Sequence, residues 1–137
     1  MANSESVEYL NQARYFVGVE QYNDALEYIN KAIATDKLNK ELYVQKSIIL
    51  ANLDQYTEAI GELKNALKID RAYAEAYFHL GNLYLMTGEQ ALGLESYNKA
   101  IANGFDDSQI FFNLGLMYEE DGNDELAIRN YTKAILK

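Results

Sequence analysis

The chain has 137 residues, of which 49% are apolar, and this is enough for one domain with a continuous core. It contains no cysteine, which excludes disulfides and thiolate metal sites. The formal net charge of −9 argues against nucleic acid as a partner, because phosphates require a basic stripe.

The first segment, Met1 to Glu5, is polar, and the apolar runs that follow it are only a few residues long. A secretory signal needs a longer apolar core, and a membrane-spanning helix needs about 20 apolar residues. We therefore expect neither a signal peptide nor a membrane partner, with the cytoplasm as the default location.

From residue 6 onward the sequence repeats with a period of 34 residues, in copies that cover 6–39, 40–73, 74–107 and 108–137. One position of every copy is alanine, namely Ala32, Ala66, Ala100 and Ala134. Such a period is typical of stacked helical repeats, in which each unit buries its apolar face against its neighbours. We expect a single repeat domain over residues 1–137.

Each copy contains two segments with helical periodicity. In copy three, Tyr77, Leu80 and Tyr84 share one helical stripe, and Tyr97 and Ile101 lie on a second one. Eight antiparallel helices joined by short turns are predicted, with no strand. Tyr84 and its equivalent Tyr118 are expected to be buried at matching interfaces.

The turns carry helix start and stop signals. Thr87 and Gln90 have the spacing of a capping box for the second helix of copy three. Asn103 and Gly104 are typical of a helix end. The acidic pair Asp106–Asp107 suits the start of the next helix, through capping and the helix dipole.

The repeated motif resembles the tetratricopeptide repeat, and the resemblance covers nearly the whole chain. The family pattern W-x-x-L-G-x-x-Y is matched in copies three and four by Tyr77, Leu80, Gly81 and Tyr84, and by Phe111, Leu114, Gly115 and Tyr118. Copies one and two keep the bulky and small positions but lose the Leu-Gly pair, and the chain has no proline where the family prefers it. The resemblance implies an all-α solenoid of helix-turn-helix repeats that coils into a right-handed superhelix.

The resemblance also implies a binding surface, because the first helix of each repeat lines a concave groove in this family. Transfer by position gives these candidate peptide-binding residues: Leu10, Arg14, Glu41, Val44, Ile48, Glu75, Phe78, Asn82, Leu85, Met86, Phe112, Asn113, Leu116 and Glu119. Ala51, Asn52 and Glu120 fall on the same positions. This surface is apolar at its centre and acidic around it, and such exposed apolar area usually marks an interaction site.

Some members of the family hold the carboxylate of a peptide's C-terminus with asparagine, lysine and arginine. Asn82 and Asn113 match the two asparagines, but Glu75 and His79 stand where the second lysine and the arginine would fall. We therefore expect no such carboxylate clamp.

Catalytic chemistry has little support in the sequence. His79 is the only histidine, and it is accompanied by neither a cysteine nor a nucleophile-elbow motif. The acidic run from Glu119 to Glu125 lacks the alternating ligands of a calcium loop. We expect no enzyme activity, no catalytic residue, no metal and no cofactor.

The leading hypothesis is a non-enzymatic scaffold that binds a protein or peptide segment with apolar anchors and some basic residues. Two alternatives remain open. In the first alternative, the chain is a structural or self-associating piece of a longer repeat array, and apolar residues at its open C-terminal end hold a homo-oligomer together. In the second, it is the regulatory domain of a larger enzyme.

Overall fold

The computed structural model describes residues 4–137, so the first three residues of the predicted domain lie outside the described part. The described residues form eight α-helices and no strand. In chain order the helices are α1 (Ser4–Gly18), α2 (Tyr22–Thr35), α3 (Lys40–Asn52), α4 (Tyr56–Ile69), α5 (Ala74–Met86), α6 (Gln90–Ala102), α7 (Ser108–Glu120) and α8 (Asp124–Ile135). The first helices of copies two to four begin at residues 40, 74 and 108, so the helix pairs follow the 34-residue period.

Each helix packs on its neighbours along the chain, and the second helix of one pair packs on the first helix of the next. Three apolar clusters form the core, and each crosses one junction between pairs. The repeated alanines Ala32, Ala66 and Ala100 are fully buried in these clusters. This arrangement is an all-α helical solenoid, as the period predicts.

The turn inside each pair contains a residue in the left-handed region of φ. These residues are Glu20 (φ 59°), Asp54 (60°), Gly88 (81°) and Gly122 (76°), and they recur every 34 positions. A left-handed residue just after a helix satisfies the last carbonyl groups and reverses the chain. The repeat therefore specifies a backbone conformation as well as a pattern of apolar residues.

Capping agrees with the sequence prediction at one site and differs at another. The side chain of Asp107 caps α7 by accepting a hydrogen bond from Gln109 N at 2.8 Å. The capping box predicted for α6 is wrong, because Glu89 holds the N-cap position and makes no side-chain cap. The Thr87 hydroxyl lies at the end of α5 instead and donates to Tyr84 O at 3.1 Å.

The buried tyrosine of copy three is Tyr97 rather than Tyr84. Tyr97 has no exposed surface, whereas Tyr84 and Tyr118 are only half-buried beside the clusters. The Tyr97 ring lies against Gly81, where a Cβ atom would come within 2.4 Å of two ring carbons. Tyr131 lies against Gly115 in the same way, at 2.5 Å.

This contact explains the pattern of small residues in the repeats. Copies three and four, which have Tyr97 and Tyr131 at this position of the second helix, have glycine opposite it on the first helix. Copies one and two have Ile29 and Leu63 at the tyrosine position, and there the small residue is Ala13 or Ser47. The glycines of the motif are therefore required by a close helix–helix approach.

Candidate functional site

A cleft of about 350 Å³ lies between the first helices α3 and α5, and we call it the α3–α5 cleft. Its walls come from the last turns of two helices that begin 34 residues apart, so equivalent positions face each other. It is lined by Ser47, Ile48, Ala51, Asn52, His79, Asn82, Leu83 and Met86. Apolar walls with a few amide groups are typical of ligand sites in proteins.

Two acidic side chains, Glu41 and Glu75, lie in the first turns of α3 and α5. Tyr73 donates a hydrogen bond to Glu75 Oε2 at 3.2 Å. Burial raises the pKa of the Tyr73 hydroxyl, and the negative charges of Glu75 and Glu41 raise it further. Both carboxylates therefore act on the Tyr73 hydroxyl at the start of α5, and Glu75 also lies close to His79, which lines the α3–α5 cleft.

His79 does not neutralise this acidic region at pH 7. Its Nε2 lies 3.7 Å from Glu75 Oε1, and the nearby carboxylate favours the charged form. Burial has the larger effect, however, and lowers the pKa of His79 below its ordinary value of 6.5. The imidazole is therefore mainly neutral at pH 7.

The two asparagines that match a carboxylate clamp bond to a buried tyrosine. The Tyr97 hydroxyl donates to Asn82 Oδ1, and Asn113 Nδ2 donates to the Tyr97 oxygen at 3.1 Å. Asn113 Nδ2 also lies 3.4 Å from Asn82 Oδ1. We call this set of bonds the Tyr97 network. It connects α5, α6 and α7, which gives both asparagines a role in packing.

The predicted groove residues fall into three groups. Leu10, Val44 and Phe78 are buried in the apolar clusters, at 9%, 1% and 7% exposure, and a ligand cannot reach them in this structure. The half-buried group is Ile48, Glu75, Asn82, Leu85 and Asn113. The exposed group is Arg14, Glu41, Met86, Phe112, Leu116 and Glu119.

Of the residues predicted at groove positions, the α3–α5 cleft brings together Ile48, Ala51, Asn52, Asn82 and Met86. Phe112 lies elsewhere, in a second cavity near α8 with Tyr131 and Ile135. Ser47 and Leu83 were not predicted as lining residues, because their positions belong to the packing stripe of the repeat. No sequence signal separates a packing residue at the rim of a cleft from one in the core.

Within residues 4–137 no helix combines the length and apolar character needed to cross a membrane. The same residues contain no cluster of three or more histidine, cysteine or acidic side chains that could hold a metal ion.

Comparison with known families and structures gives consistent results. One family model, described as a TPR repeat, matches residues 49–88, and a second, described as a tetratricopeptide repeat, matches residues 108–136. No curated protein sequence matches the chain.

Several solved structures share the fold. The crystal structure of MamA is 27% identical and superposes with a TM-score of 0.83, over 95% of this chain and 76% of that one. A protein of Thermus thermophilus, described as a thermophilic TPR protein, is 24% identical with a TM-score of 0.79, over 90% of this chain and 69% of that one. YrrB, described as a TPR protein with an unusual peptide-binding site, is 24% identical with a TM-score of 0.75, over 96% of this chain and 68% of that one.

Proposed function

Because this chain belongs to the tetratricopeptide repeat family, whose members are generally non-catalytic scaffolds, we propose that it binds a peptide segment of another protein in the α3–α5 cleft. The observation that carries the proposal is the cleft itself, which has apolar walls and whose lining residue His79 lies 3.7 Å from the Glu75 carboxylate. A chain with this role needs no catalytic residue and no cofactor.

The charge around the cleft supports a partner with basic residues. Glu75 lies close to His79 in the lining of the cleft, and the negative charges of Glu75 and Glu41 both act on Tyr73. Opposite charge speeds encounter between partners, and like charge disfavours the wrong ones. The proposed ligand therefore combines an apolar anchor, held against Ile48 and Met86, with nearby lysine or arginine.

Two peptides of equal hydrophobicity test this proposal, one with Leu and Phe anchors and three Lys or Arg residues, the other with Asp or Glu in place of the basic residues. Fluorescence anisotropy should detect tighter binding of the basic peptide. Its affinity should fall as salt rises, because the charges are near the surface. Equal binding of the acidic peptide would contradict the proposed ligand.

Variants of the α3–α5 cleft locate the binding site. Met86→Ala should weaken binding by about tenfold through lost anchor burial, and Met86 is 60% exposed, so the fold should tolerate the change. Glu75→Gln should mainly lower the association rate and the salt dependence. Leu38→Ala is the control, because Leu38 is 80% exposed and does not line the cleft.

Self-association through the C-terminal end is not part of this proposal. Head-to-tail stacking of two copies would bring α1 of one copy onto α8 of the other. The residues of α1 that would enter such a contact include Glu8, which is exposed, and Gln12, which is polar. An apolar face gains little from covering by such residues.

A further inference from the structure

Among the described residues that line the α3–α5 cleft, His79 alone can change its charge near neutral pH. It is the single histidine of the chain, and histidine is the side chain whose ordinary pKa lies in the physiological range. The other lining residues carry no charge, namely Ser47, Ile48, Ala51, Asn52, Asn82, Leu83 and Met86. Protonation of one imidazole therefore gives the whole wall of the cleft a positive charge.

The charged group that acts on the imidazole is Glu75, one turn earlier on α5. Its Oε1 atom lies 3.7 Å from His79 Nε2. Helix α3 forms the opposite wall with uncharged side chains, and no described side chain of α4 or α6, which also pack on α5 or its neighbours, lines the cleft. Tyr73 bonds to the same carboxylate, but burial raises the pKa of its hydroxyl, so it stays neutral when His79 titrates.

A basic ligand in the cleft opposes protonation of His79 in two ways. The imidazole is 24% exposed, and its ring packs against the Phe78 ring with the centroids 5.4 Å apart. A ligand that covers the exposed part removes water from the charged form, and a lysine or arginine near Glu75 repels it. The ligand and the proton therefore bind with negative coupling, in which each weakens the other.

We propose that His79 makes ligand binding in the α3–α5 cleft dependent on pH, so that the cleft holds a basic peptide at neutral pH and releases it on acidification. This inference rests on the proposed function of the cleft. In the acidified state the imidazolium pairs with Glu75. The pairing neutralises the carboxylate that would attract lysine or arginine, and the imidazolium adds a like charge beside the ligand.

The pH dependence of binding tests this inference. The basic peptide described above is acetylated at its N-terminus and amidated at its C-terminus, so that the peptide itself does not titrate between pH 8 and pH 5.5. Fluorescence anisotropy with the intact, untagged chain should give a level dissociation constant from pH 8 to pH 7. The constant should then rise by about two- to tenfold toward pH 5.5, with no more than a tenfold change per pH unit, because a single proton is linked.

Two variants show whether His79 is the group responsible. His79→Gln replaces the imidazole with a polar side chain that does not titrate, so the peptide should bind with a dissociation constant that no longer changes over this range. Circular dichroism verifies that the variant is folded. Leu38→Ala is the control, because Leu38 is 80% exposed and does not line the cleft, and it should keep the full pH dependence.

NMR of the unmodified chain provides a second measurement that needs no variant. Because the chain has one histidine, the imidazole resonance is identified directly, and its titration gives the pKa of His79 with and without bound peptide. The pKa should fall when the peptide binds. The ratio of the two acid dissociation constants should equal the limiting factor by which acidification weakens binding, because the coupling is reciprocal.

The possible failures are distinguishable. No binding of the basic peptide at pH 7.5 would overturn the proposed function of the cleft, and this inference with it. Binding that stays constant from pH 8 to pH 5.5, or that changes equally in His79→Gln, would overturn this inference alone. A pKa of His79 that is unchanged or higher in the complex would have the same consequence.

Discussion

At the scale of single residues, the left-handed turn position shows how far the copies have diverged. Copies three and four place Gly88 and Gly122 there, whereas copies one and two place Glu20 and Asp54 in the same conformation. No neighbouring atom restricts a Cβ at Gly88 or Gly122, so the backbone dihedral rather than space favours glycine. A non-glycine residue in this region costs roughly 1–2 kcal/mol.

We therefore predict that Glu20→Gly raises the free energy of unfolding by about 0.5–1 kcal/mol, since relief of strain exceeds the entropy that glycine adds to the unfolded chain. The urea midpoint measures the change. Gly88→Glu is the reverse substitution at the equivalent position and should lower the midpoint. A lower midpoint for Glu20→Gly would mean that the glutamate side chain stabilises its turn.

Gly93 stands at a position that is alanine in the other three copies, namely Ala25, Ala59 and Ala127. The repeat pattern alone predicts that Gly93→Ala is stabilising, because glycine within a helix costs about 1 kcal/mol. The structure adds an opposing contact, since a Cβ would lie 3.1 Å from Leu85 Cδ2 and 3.3 Å from Gly81 O. Copy two has the smaller Ala51 at the position of Leu85.

A double-mutant cycle separates the two effects. Gly93→Ala should stabilise the chain by less than about 1 kcal/mol when Leu85 is present. It should stabilise more in the Leu85→Ala background, with a coupling energy of about 1 kcal/mol. Thermal or urea unfolding of the four proteins gives this coupling, and strict additivity would show that Leu85 moves aside freely.

At the scale of helices, the Tyr97 network and Tyr131 form a natural comparison. The Tyr97 hydroxyl bonds to Asn82 and Asn113 inside the stack. The Tyr131 hydroxyl donates to Glu119 Oε1 at 2.6 Å at the exposed end, and this bond raises the pKa of Tyr131 to about 12. The two tyrosines occupy the same position of the repeat but differ in their access to water.

Tyr97→Phe should lower the free energy of unfolding by about 1 kcal/mol or more, because it leaves two half-buried amides without their shared partner. Tyr131→Phe should change it by less than about 0.5 kcal/mol, because water replaces the lost partner. Chemical denaturation of both variants measures the difference. Equal effects would indicate that the Tyr97 network adds no stability beyond a surface hydrogen bond.

The eight helices could be predicted from the 34-residue period. The cap of α7 could be predicted because aspartate is a preferred N-cap residue and Asp107 stands just before the helix. The residues that line the groove could be predicted less well from the sequence, because the family resemblance places Val44 and Phe78 at surface positions. In this chain they are large apolar residues, and they turn into the clusters between helices. Position in a repeat fixes the direction of a side chain only roughly, and its apolar character decides how much of it is buried.

At the scale of the whole molecule, the first and last described helices, α1 and α8, each pack mainly on one neighbouring helix. In native-state hydrogen exchange, amides of α4 and α5 should be protected most, and those of α8 should exchange faster, because stability in repeat arrays comes from contacts with neighbours. Mass spectrometry of exchanged fragments resolves these segments. Uniform protection along the chain would indicate that the array unfolds in one step.

Side-chain hydrogen bonds between helix pairs, including those of the Tyr97 network, are not distributed evenly along the stack. Asn113 and Gln90 make side-chain hydrogen bonds across the junction between the third and fourth helix pairs. Among the described residues, no side chain of α3 or α4 is hydrogen-bonded to a side chain of α5 or α6, and that junction is held by apolar contacts and by the Lys40 ammonium over the Tyr73 ring. Apolar surfaces slide by small steps without breaking directional bonds. The α3–α5 cleft lies at this junction, so we predict that a ligand changes the width of the cleft more readily than it changes the spacing of the last two helix pairs.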